Sequence, residues 1–395
     1  MLISKFMLKF KQSSFFKLLF TLIFFELVVG GSGHYLEIGP GTFRMVLYSF
    51  AIILAFVYSL INNTIDKNVF VILVLFSCML LLASFIGWSN GAKSELILED
   101  LKPLIFAYIL LFFKIAIKDI SDILRIIKII KVGSLIMGGI YVLVLLLMLS
   151  GKINPLTFYK QQSEIGELIF KSEILFIYKG FLYLCIGFLF FLLSKGKSSL
   201  FAAIFLLGCI VLTLMRGFIL FTILISLYYI YFINKNIRIK WLILFISFSL
   251  FIYALPILFE VLGDKSDSDG MRFIQISEVI DDISPFSMIF GHGFGVGTES
   301  RPVHMELSFL EIFHKQGLIG LTSWVGIYLF IFWQYSRIKI DYYKYLALPF
   351  LLSVIFIVLQ SFTNPFMNNP IGLSMILITI VVYSKLIDLQ NKITI

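Results

Sequence analysis

Residues 69–87 read "VFVILVLFSCMLLLASFIG", an apolar run without a charged side chain. A helix needs about 20 mostly apolar residues to cross the hydrocarbon core of a bilayer. Similar runs recur along the whole chain, which has 395 residues, 60% of them hydrophobic and 14% charged. Ordinary soluble domains are about half apolar and about a quarter charged. The sequence therefore predicts an all-α polytopic integral membrane protein.

The apolar runs predict about 12 transmembrane helices within a single transmembrane domain, 1–395. The predicted spans are 15–31, 43–61, 69–87, 103–117, 132–150, 178–194, 199–215, 217–233, 241–260, 307–334, 344–361 and 371–387. The fourth contains Lys114, and the seventh and eighth are divided at Arg216 and Gly217.

The distribution of charge supports this topology. With the N-terminus inside, the inner segments carry 20 of the 32 Lys and Arg residues but only 5 of the 23 Asp and Glu residues. Positively charged loops remain in the cytoplasm, so we expect both termini to be cytoplasmic. The formal net charge of +9 then reflects topology, and no nucleic-acid partner is expected.

Some charged residues lie inside or beside the predicted spans. Glu26 is near the outer end of its span and Lys114 near the inner end of its own, so we do not expect the two to pair. Ionisable groups at such depths are candidates for function. Residues 118–131, "KDISDILRIIKIIK", have an amphipathic spacing that predicts a helix lying on the inner surface.

The outer segments are longer than most inner ones, at 88–102, 151–177 and 261–306. The last is a large extracytoplasmic loop between the ninth and tenth spans. Because long ordered loops usually carry function, we expect this loop to contribute to a site on the extracytoplasmic face.

Residues 291–320, "GHGFGVGTESRPVHMELSFLEIFHKQGLIG", gather glycines, histidines, carboxylates and an arginine. The alternating glycines lack the spacing of a nucleotide-binding loop. They predict a tight turn with close backbone approach, followed by a helix that begins near Pro302. On such a helix Glu306 would stand above a groove floored by Gly317 and Gly320.

Four stretches together resemble the O-antigen polymerase and O-antigen ligase superfamily, also called Wzy-like. They are "LTLMRGFILF" (212–221), "GMRFIQISEVIDDISPFSMIFGHGFGVG" (270–297), "ELSFLEIFHKQGLIG" (306–320) and "NPFMNNPIGLSMILI" (364–378). The resemblance implies a glycosyltransferase of the bacterial inner membrane that acts on undecaprenyl-pyrophosphate-linked oligosaccharides at the periplasmic face. It also implies a chain-length regulator as a partner.

The resemblance assigns the two family arginines to Arg216 and Arg272. Guanidinium groups can hold phosphate oxygens through paired donors, so these residues would bind the pyrophosphate and stabilise its growing charge. Arg301, which is nearer the predicted helix, could substitute for either. The alternatives are an anchor at the membrane interface for Arg216 and a solvated loop charge for Arg272.

Glu306 and His304 are the candidates for the base that takes the proton of the acceptor hydroxyl. The ligases have a histidine at the position of Glu306, so its absence favours a polymerase. His314, one turn further, is a candidate for substrate binding or a polar group in the wall.

The resemblance and these residues predict a repeat-unit polymerase that inverts the anomeric centre in one displacement and uses no metal or other cofactor. The acidic residues of "DKSDSD" (264–269) do not match the metal motif of nucleotide-sugar enzymes. An O-antigen ligase is the alternative within the superfamily, and a transporter or lipid-linked glycan flippase is the alternative of another class.

Overall fold

A computed structural model describes residues 2–38, 41–62, 66–171, 174–233 and 266–393, with the single positions 245 and 249. These residues are mostly helical. The α-helices are, in chain order, α1 (Leu2–Val29), α2 (Phe43–Asn62), α3 (Lys67–Ser89), α4 (Ser94–Ile105), α5 (Leu110–Ala116), α6 (Ile120–Leu149), α7 (Pro155–Ile165), α8 (Leu182–Leu192), α9 (Lys197–Leu212), α10 (Arg216–Tyr228), α11 (Ser266–Asp281), α12 (Pro285–Phe290), α13 (Ser308–Arg337), α14 (Asp341–Gln360) and α15 (Pro370–Ile393).

Short 3₁₀ turns at Phe106–Ile109 and Lys179–Phe181 join α4 to α5 and precede α8, and a π-helical turn at Tyr229–Ile233 follows α10. Two antiparallel hairpins complete the described residues. Their strands are β1 (Glu37–Ile38) with β2 (Gly41–Thr42), and β3 (Leu168–Phe170) with β4 (Phe176–Tyr178).

Each predicted span within the described residues lies on helical structure. Among those residues six helices, α2, α3, α6, α13, α14 and α15, are long and apolar enough to cross a membrane, and α8 to α10 are shorter apolar helices. The fourth predicted span is divided between α4, the 3₁₀ turn and α5. The ninth, 241–260, lies outside the described residues apart from two isolated positions. An all-α membrane protein is thus confirmed, whereas the count of 12 stays a prediction.

The predicted surface helix at 118–131 is wrong. These residues form the first part of the continuous helix α6, which begins after the capping box of Asp119 and Asp122. Lys17 of α1 lies 3.0 Å from the buried carboxylate of Asp122. Since this pair and the cap compensate the charges at the start of α6, the helix continues into the span without a separate surface segment.

The charges inside the predicted spans have partners in other segments of the chain. Nε of Arg44 donates to Oε2 of Glu26 at 2.8 Å, and Nη2 donates to Oε1 at 2.9 Å. Nζ of Lys114 lies 3.0 Å from the carboxylate of Asp66, which also caps α3. As expected, Glu26 and Lys114 do not pair. Both are compensated within the helix bundle, as burial in a membrane demands.

The core is centred on α8, α14 and α15. Nearly every residue of α8 is buried, and α15 is buried over most of its length. Helices of this kind, apolar on all sides, belong to the interior of a bundle. The helices α2 and α3 instead expose large apolar side chains such as Leu60, Leu75 and Leu81, which would face lipid. This arrangement leaves the ends of α10, α13 and α14 to frame the candidate site.

Candidate active site

The glycine-rich loop at 291–297 runs in close backbone contact with α3 and α13. Gly291, Gly293 and Gly295 have φ angles of +77°, +87° and +78°. This left-handed conformation costs other residues about 1–2 kcal/mol each. A Cβ atom on Gly293 would also collide with the backbone of Gly87 in α3. The predicted tight turn with close backbone approach is confirmed, and its geometry requires glycine.

Helix α13 breaks at Gly317, which has a φ of 62° and a ψ of −160°. Carbonyl groups of the preceding turn become available to the glycine-rich loop. The N–H of His292 donates to the carbonyl of His314 at 2.8 Å, and that of Gly293 donates to the carbonyl of Lys315 at 3.0 Å. Backbone groups at membrane depth need such partners, so the loop and the helix break support each other.

The helix break corrects the predicted groove. Helix α13 begins at Ser308, later than the predicted start near Pro302. Glu306 therefore lies in the preceding loop, and the non-helical Gly317 interrupts the register toward Gly320. The constant angle of 100° per residue assumed for this groove does not hold across the break.

Glu306 bridges two arginines. Its Oε1 accepts from Nη2 of Arg301 at 2.7 Å, and its Oε2 accepts from Nε of Arg272 at 3.2 Å. Its backbone N–H donates to Oε1 of Gln275 at 3.3 Å. Arg272 and Gln275 are three residues apart on α11, so both face the same side. This contact fixes α11 against the loop that precedes α13.

A cavity of about 540 Å³ lies beside Glu306, and we call it the arginine cavity. Its charged lining residues are Lys171, Arg216, Arg272 and Glu306. The two arginines assigned by resemblance thus line the same space, although one begins α10 and the other belongs to α11. The cavity combines three cationic side chains with one carboxylate, which suits an anionic ligand.

The start of α10 adds to this positive character. Leu214, with a φ of 51°, is the one residue other than glycine with positive φ in the described part of the chain. Its unusual backbone turns the chain between α9 and α10, so that Arg216 becomes the first residue of α10. Leu214, Met215 and Gly217 line the arginine cavity as well. The N-terminus of α10 therefore borders the cavity with the partial positive charge of a helix start.

A second cavity of about 410 Å³ lies beyond Pro365, which lines both, and we call it the histidine cavity. Its polar lining residues are Ser32, His34, Asp100, Lys179, His304, Glu311, Lys315, Gln316, Asn368 and Asn369. The lining offers hydroxyl, amide, imidazole and carboxylate groups in a confined space. Such groups can bind the hydroxyls of a sugar.

A buried charge cluster forms one wall of the histidine cavity. Nζ of Lys315 lies 2.7 Å from Oδ1 of Asp100 and 2.9 Å from Oε1 of Glu311, and all three side chains are buried. The N–H of Gly295 donates to Oδ2 of Asp100, and Nδ2 of Asn368 donates to Oε2 of Glu311, each at 2.7 Å. Both carboxylates are therefore held at both oxygens.

His304 lies at the opening of this cluster. Its Nδ1 is 3.3 Å from Oε1 of Glu311 and 3.5 Å from Oδ1 of Asp100, while 53% of its side chain is exposed. The hydrogen bond with the Glu311 carboxylate raises the pKa of His304 above its ordinary value, although partial burial opposes the rise. A half-exposed histidine that a carboxylate orients through one ring nitrogen has the arrangement of a general base.

The ligand atoms of Asp100, His304 and Glu311 lie within 4.8 Å of one another, a spacing that could hold a metal ion. The ammonium of Lys315, however, already bonds the same two carboxylate oxygens. A metal ion would have to displace this buried cation. The cluster fits an internal ion pair better than a metal centre.

Of the predicted site residues, Arg216, Arg272 and Glu306 line the arginine cavity, and Arg301 joins them through Glu306. His304 lines the histidine cavity. His314 is in the lining of neither cavity. Its buried ring stacks on that of His292, with the ring centroids 4.4 Å apart. Its role in substrate binding stays a prediction without support from this geometry.

Sequence reasoning missed Asp100, Lys315 and Asn368 and left Glu311 without a role. Glu311 and Lys315 are four residues apart, a spacing typical of an ion pair on a helix, in a segment predicted to enter the membrane. That signal could have identified the pair. Asp100 and Asn368 come from distant segments, and no sequence pattern links them to the pair of Glu311 and Lys315.

The chain is similar over 393 residues to an O-antigen polymerase of Shigella flexneri, with 28% identity. The similarity covers 96% of this chain and 98% of that relative. No family model matches the chain. The resemblance predicted from the C-terminal motifs is thus confirmed and extends to the first half, where hydropathy had been the only support.

Proposed function

We propose that this chain is an O-antigen polymerase, because it is similar to such a protein along nearly its whole length. It would transfer a growing glycan from its lipid pyrophosphate carrier to a sugar hydroxyl of the next lipid-linked repeat unit. The observation that carries the proposal is the arginine cavity beside the histidine cavity, with Pro365 in the wall of each. The first suits a pyrophosphate and the second suits a sugar.

The pyrophosphate of the donor would occupy the arginine cavity. When the bond between the anomeric carbon and the pyrophosphate oxygen breaks, its electron pair leaves with that oxygen. Arg216, Arg272 and the N-terminus of α10 would stabilise the developing charge. Because these positive charges are provided by the chain itself, we propose a reaction without a metal ion.

The base would be His304. The acceptor oxygen forms the new bond to the anomeric carbon, and its proton passes to the ring nitrogen that does not face Glu311. Glu311 would hold the imidazole in orientation, and Lys315 and Asp100 would hold Glu311. A single displacement of this kind inverts the anomeric centre.

Glu306, the other predicted base, has both oxygens engaged by Arg301 and Arg272. Accepting a proton there would weaken two charge-assisted hydrogen bonds. We therefore assign Glu306 to positioning the arginines, and its role as base stays the alternative.

The charge pattern of the sequence supports an inner-membrane protein with both termini in the cytoplasm and the site on the periplasmic face. The substrates on this view are undecaprenyl-pyrophosphate-linked oligosaccharides that enter from the bilayer. The predicted chain-length regulator rests on the family resemblance alone. An O-antigen ligase would use the same donor, so the test must separate the two products.

The test is the surface glycan of a deletion strain complemented with the wild type, His304→Gln or Arg272→Ala, each at matched membrane abundance. A polymerase predicts that deletion leaves a single repeat unit on the lipid core, and that both variants do the same. Loss of the single capped unit as well would indicate a ligase. A normal ladder in the deletion strain would contradict the proposed function.

A further inference from the structure

The segment that carries Arg272 has two chemically different faces. Gln275 and Val279 of α11 are buried against the protein, on the side of Arg272. Phe273 and Ile280, seven residues apart and so on one helical face, point outward with 73% and 59% of their surface exposed. Between them Ser277 is exposed, so this outward face is mainly apolar although α11 belongs to a connecting segment.

Helix α12 and the turn before it continue the apolar exposure. Ser284 caps α12 through a capping box with Ser287, and Phe286 follows in its first turn with 59% exposure. We call the exposed apolar side chains of both helices the apolar rim. Its members are Phe273, Ile274, Ile280, Ile283, Phe286, Met288 and Ile289. A group of exposed apolar side chains on two successive helices indicates an interaction surface.

The packing of α12 places it at the level of a membrane edge. The part of α13 after Gly317 ends at Arg337, and about 20 residues of helix match the hydrocarbon thickness of a bilayer. Gly317 therefore lies near one edge of the membrane. A Cβ atom there would collide with the backbone of Ile289, so α12 ends at the same level.

The contacts of α3 and α13 also place the end of α12 near the edge of the membrane. The glycine-rich loop directly after α12 contacts Gly87 in the last turn of α3. Close to that turn, Phe85 and Trp88 are exposed, as is Leu318 after the break in α13. Tryptophan at the end of a span is typical of the membrane interface. The apolar rim thus continues the lipid-facing surface of α3 and α13.

We propose that the apolar rim is a lipid-docking surface that lies in the interfacial region of the outer leaflet. The lipid contact holds α11 in a fixed plane, and the protein-facing side of α11 presents Arg272 to Glu306. Residues 273–289, which include the rim, contain no Lys or Arg, whereas Asp281 and Asp282 between the two helices are exposed. Docking is therefore apolar, and it does not depend on anionic lipid.

The test uses nitroxide labels on the full-length protein in lipid nanodiscs. Cys78 is exposed, while Cys185 and Cys209 are buried, so Cys78→Ala provides the background. Labels are placed on the rim through Phe286→Cys and Ile280→Cys. Phe85→Cys is the lipid-facing reference, and Glu299→Cys, an exposed charge in the loop, is the aqueous reference.

Collision rates with oxygen and with a water-soluble nickel chelate are then compared. We expect chelate collisions at both rim labels to be several-fold rarer than at position 299, with oxygen collisions close to those at position 85. The result is expected to be the same in zwitterionic and anionic nanodiscs.

Chelate access equal to that at position 299 would overturn the proposal. Protection from both reagents would also overturn it, because it would indicate coverage by protein. If Phe286→Cys does not fold, Ile289→Cys replaces it. The measurement uses no substrate, so its failure is distinguishable from a failure of the proposed function.

Discussion

Lys315 and Glu311, one turn apart on α13, form a buried ion pair with 2.9 Å between Nζ and Oε1. Asp100 contacts the same ammonium, so two carboxylates share one cation. The excess negative charge faces His304 at the opening of the cluster. Lys315 therefore compensates the two buried carboxylates only in part, and their remaining negative charge favours the protonated imidazole.

Lys315→Met should strongly destabilise the protein. Removing one partner of a buried ion pair leaves an uncompensated charge and costs about 3–5 kcal/mol. Thermal unfolding of the purified protein in one detergent measures the effect, with the exposed Lys152→Met as the matched control. Adding Asp100→Asn should recover part of the loss, since the two residues are coupled. Equal melting temperatures for Lys315→Met and the control would contradict a structural role for the pair.

The reaction should require neutral His304. Because the Glu311 carboxylate raises the pKa of His304, the rate should rise with pH through a value above that of an ordinary histidine. Glu311→Gln should move this acid limb to lower pH and reduce the maximal rate. Initial rates of polymer formation from lipid-linked repeat units across pH measure both effects.

The contribution of His304 to stability should fall as pH rises, whereas the reaction rate should rise. A pKa that is raised in the folded state means that the contact between His304 and Glu311 contributes fully below the pKa of the unfolded state. The contribution is lost as pH rises through the folded pKa. Unfolding midpoints of the wild type and of His304→Gln should therefore differ more at acidic than at alkaline pH. A difference that grows with pH would contradict this assignment.

Glu306→Gln should distinguish a positioning residue from a base. If Glu306 positions Arg272 and Arg301, the rate should fall by about 10- to 100-fold, the loss of a few kcal/mol in charge-assisted hydrogen bonds, while the acid limb of His304 persists. If Glu306 is the base, the limb should disappear in Glu306→Gln and persist in His304→Gln. The two pH profiles at matched protein amounts decide between these roles.

Arg216→Ala and Arg272→Ala should each lower the rate by about 10²-fold or more, as expected when a donor to a developing anion is removed. Lysine at either position should recover only part of the lost rate, because it lacks the paired donors of guanidinium. Inhibition by inorganic pyrophosphate should weaken in the same variants. Arg337→Ala, at the exposed end of α13, is the control, and an equal loss there would argue against a specific role.

Gly317→Ala and Gly326→Ala test the helix break within one helix. Alanine at 317 would need a positive φ and would meet the backbone of Ile289, so we expect a loss of about 2 kcal/mol or more. A Cβ atom on Gly326 meets no atom within 4 Å, and alanine there should be neutral or stabilise by up to about 1 kcal/mol. Membrane abundance and thermal unfolding provide the comparison. Tolerance of Gly317→Ala would show that the break is not required.

The sequence predicts the six long apolar helices α2, α3, α6, α13, α14 and α15, because a helix that crosses a membrane satisfies its own backbone hydrogen bonds and shows an apolar run. The turn at 291–297 was also predictable, since alternating glycines tolerate positive φ. The continuous α6 was not, because the amphipathic pattern at 118–131 does not reveal that Lys17 compensates Asp122.

The candidate site was predictable only in part. Family resemblance selected Arg216, Arg272 and Glu306, which line one cavity, although their roles stay predictions. Local periodicity placed Glu306 on a helix that starts only at Ser308. The buried cluster depends on the contact between Asp100 and Lys315 across 215 positions of sequence. No local pattern encodes a contact of that range.

Four consecutive N–H groups of the glycine-rich loop, those of His292, Gly293, Phe294 and Gly295, donate to α13, α13, α3 and the side chain of Asp100 in turn. Inserting or deleting one residue would move every later donor to the wrong acceptor. The loop therefore has a fixed length, and evolution can adapt the enzyme to other sugars only elsewhere. We expect enzymes that join different repeat units to keep the spacing of 292–295 and to differ in the wall of the histidine cavity, at Ser32, His34, Lys179 and Asn369.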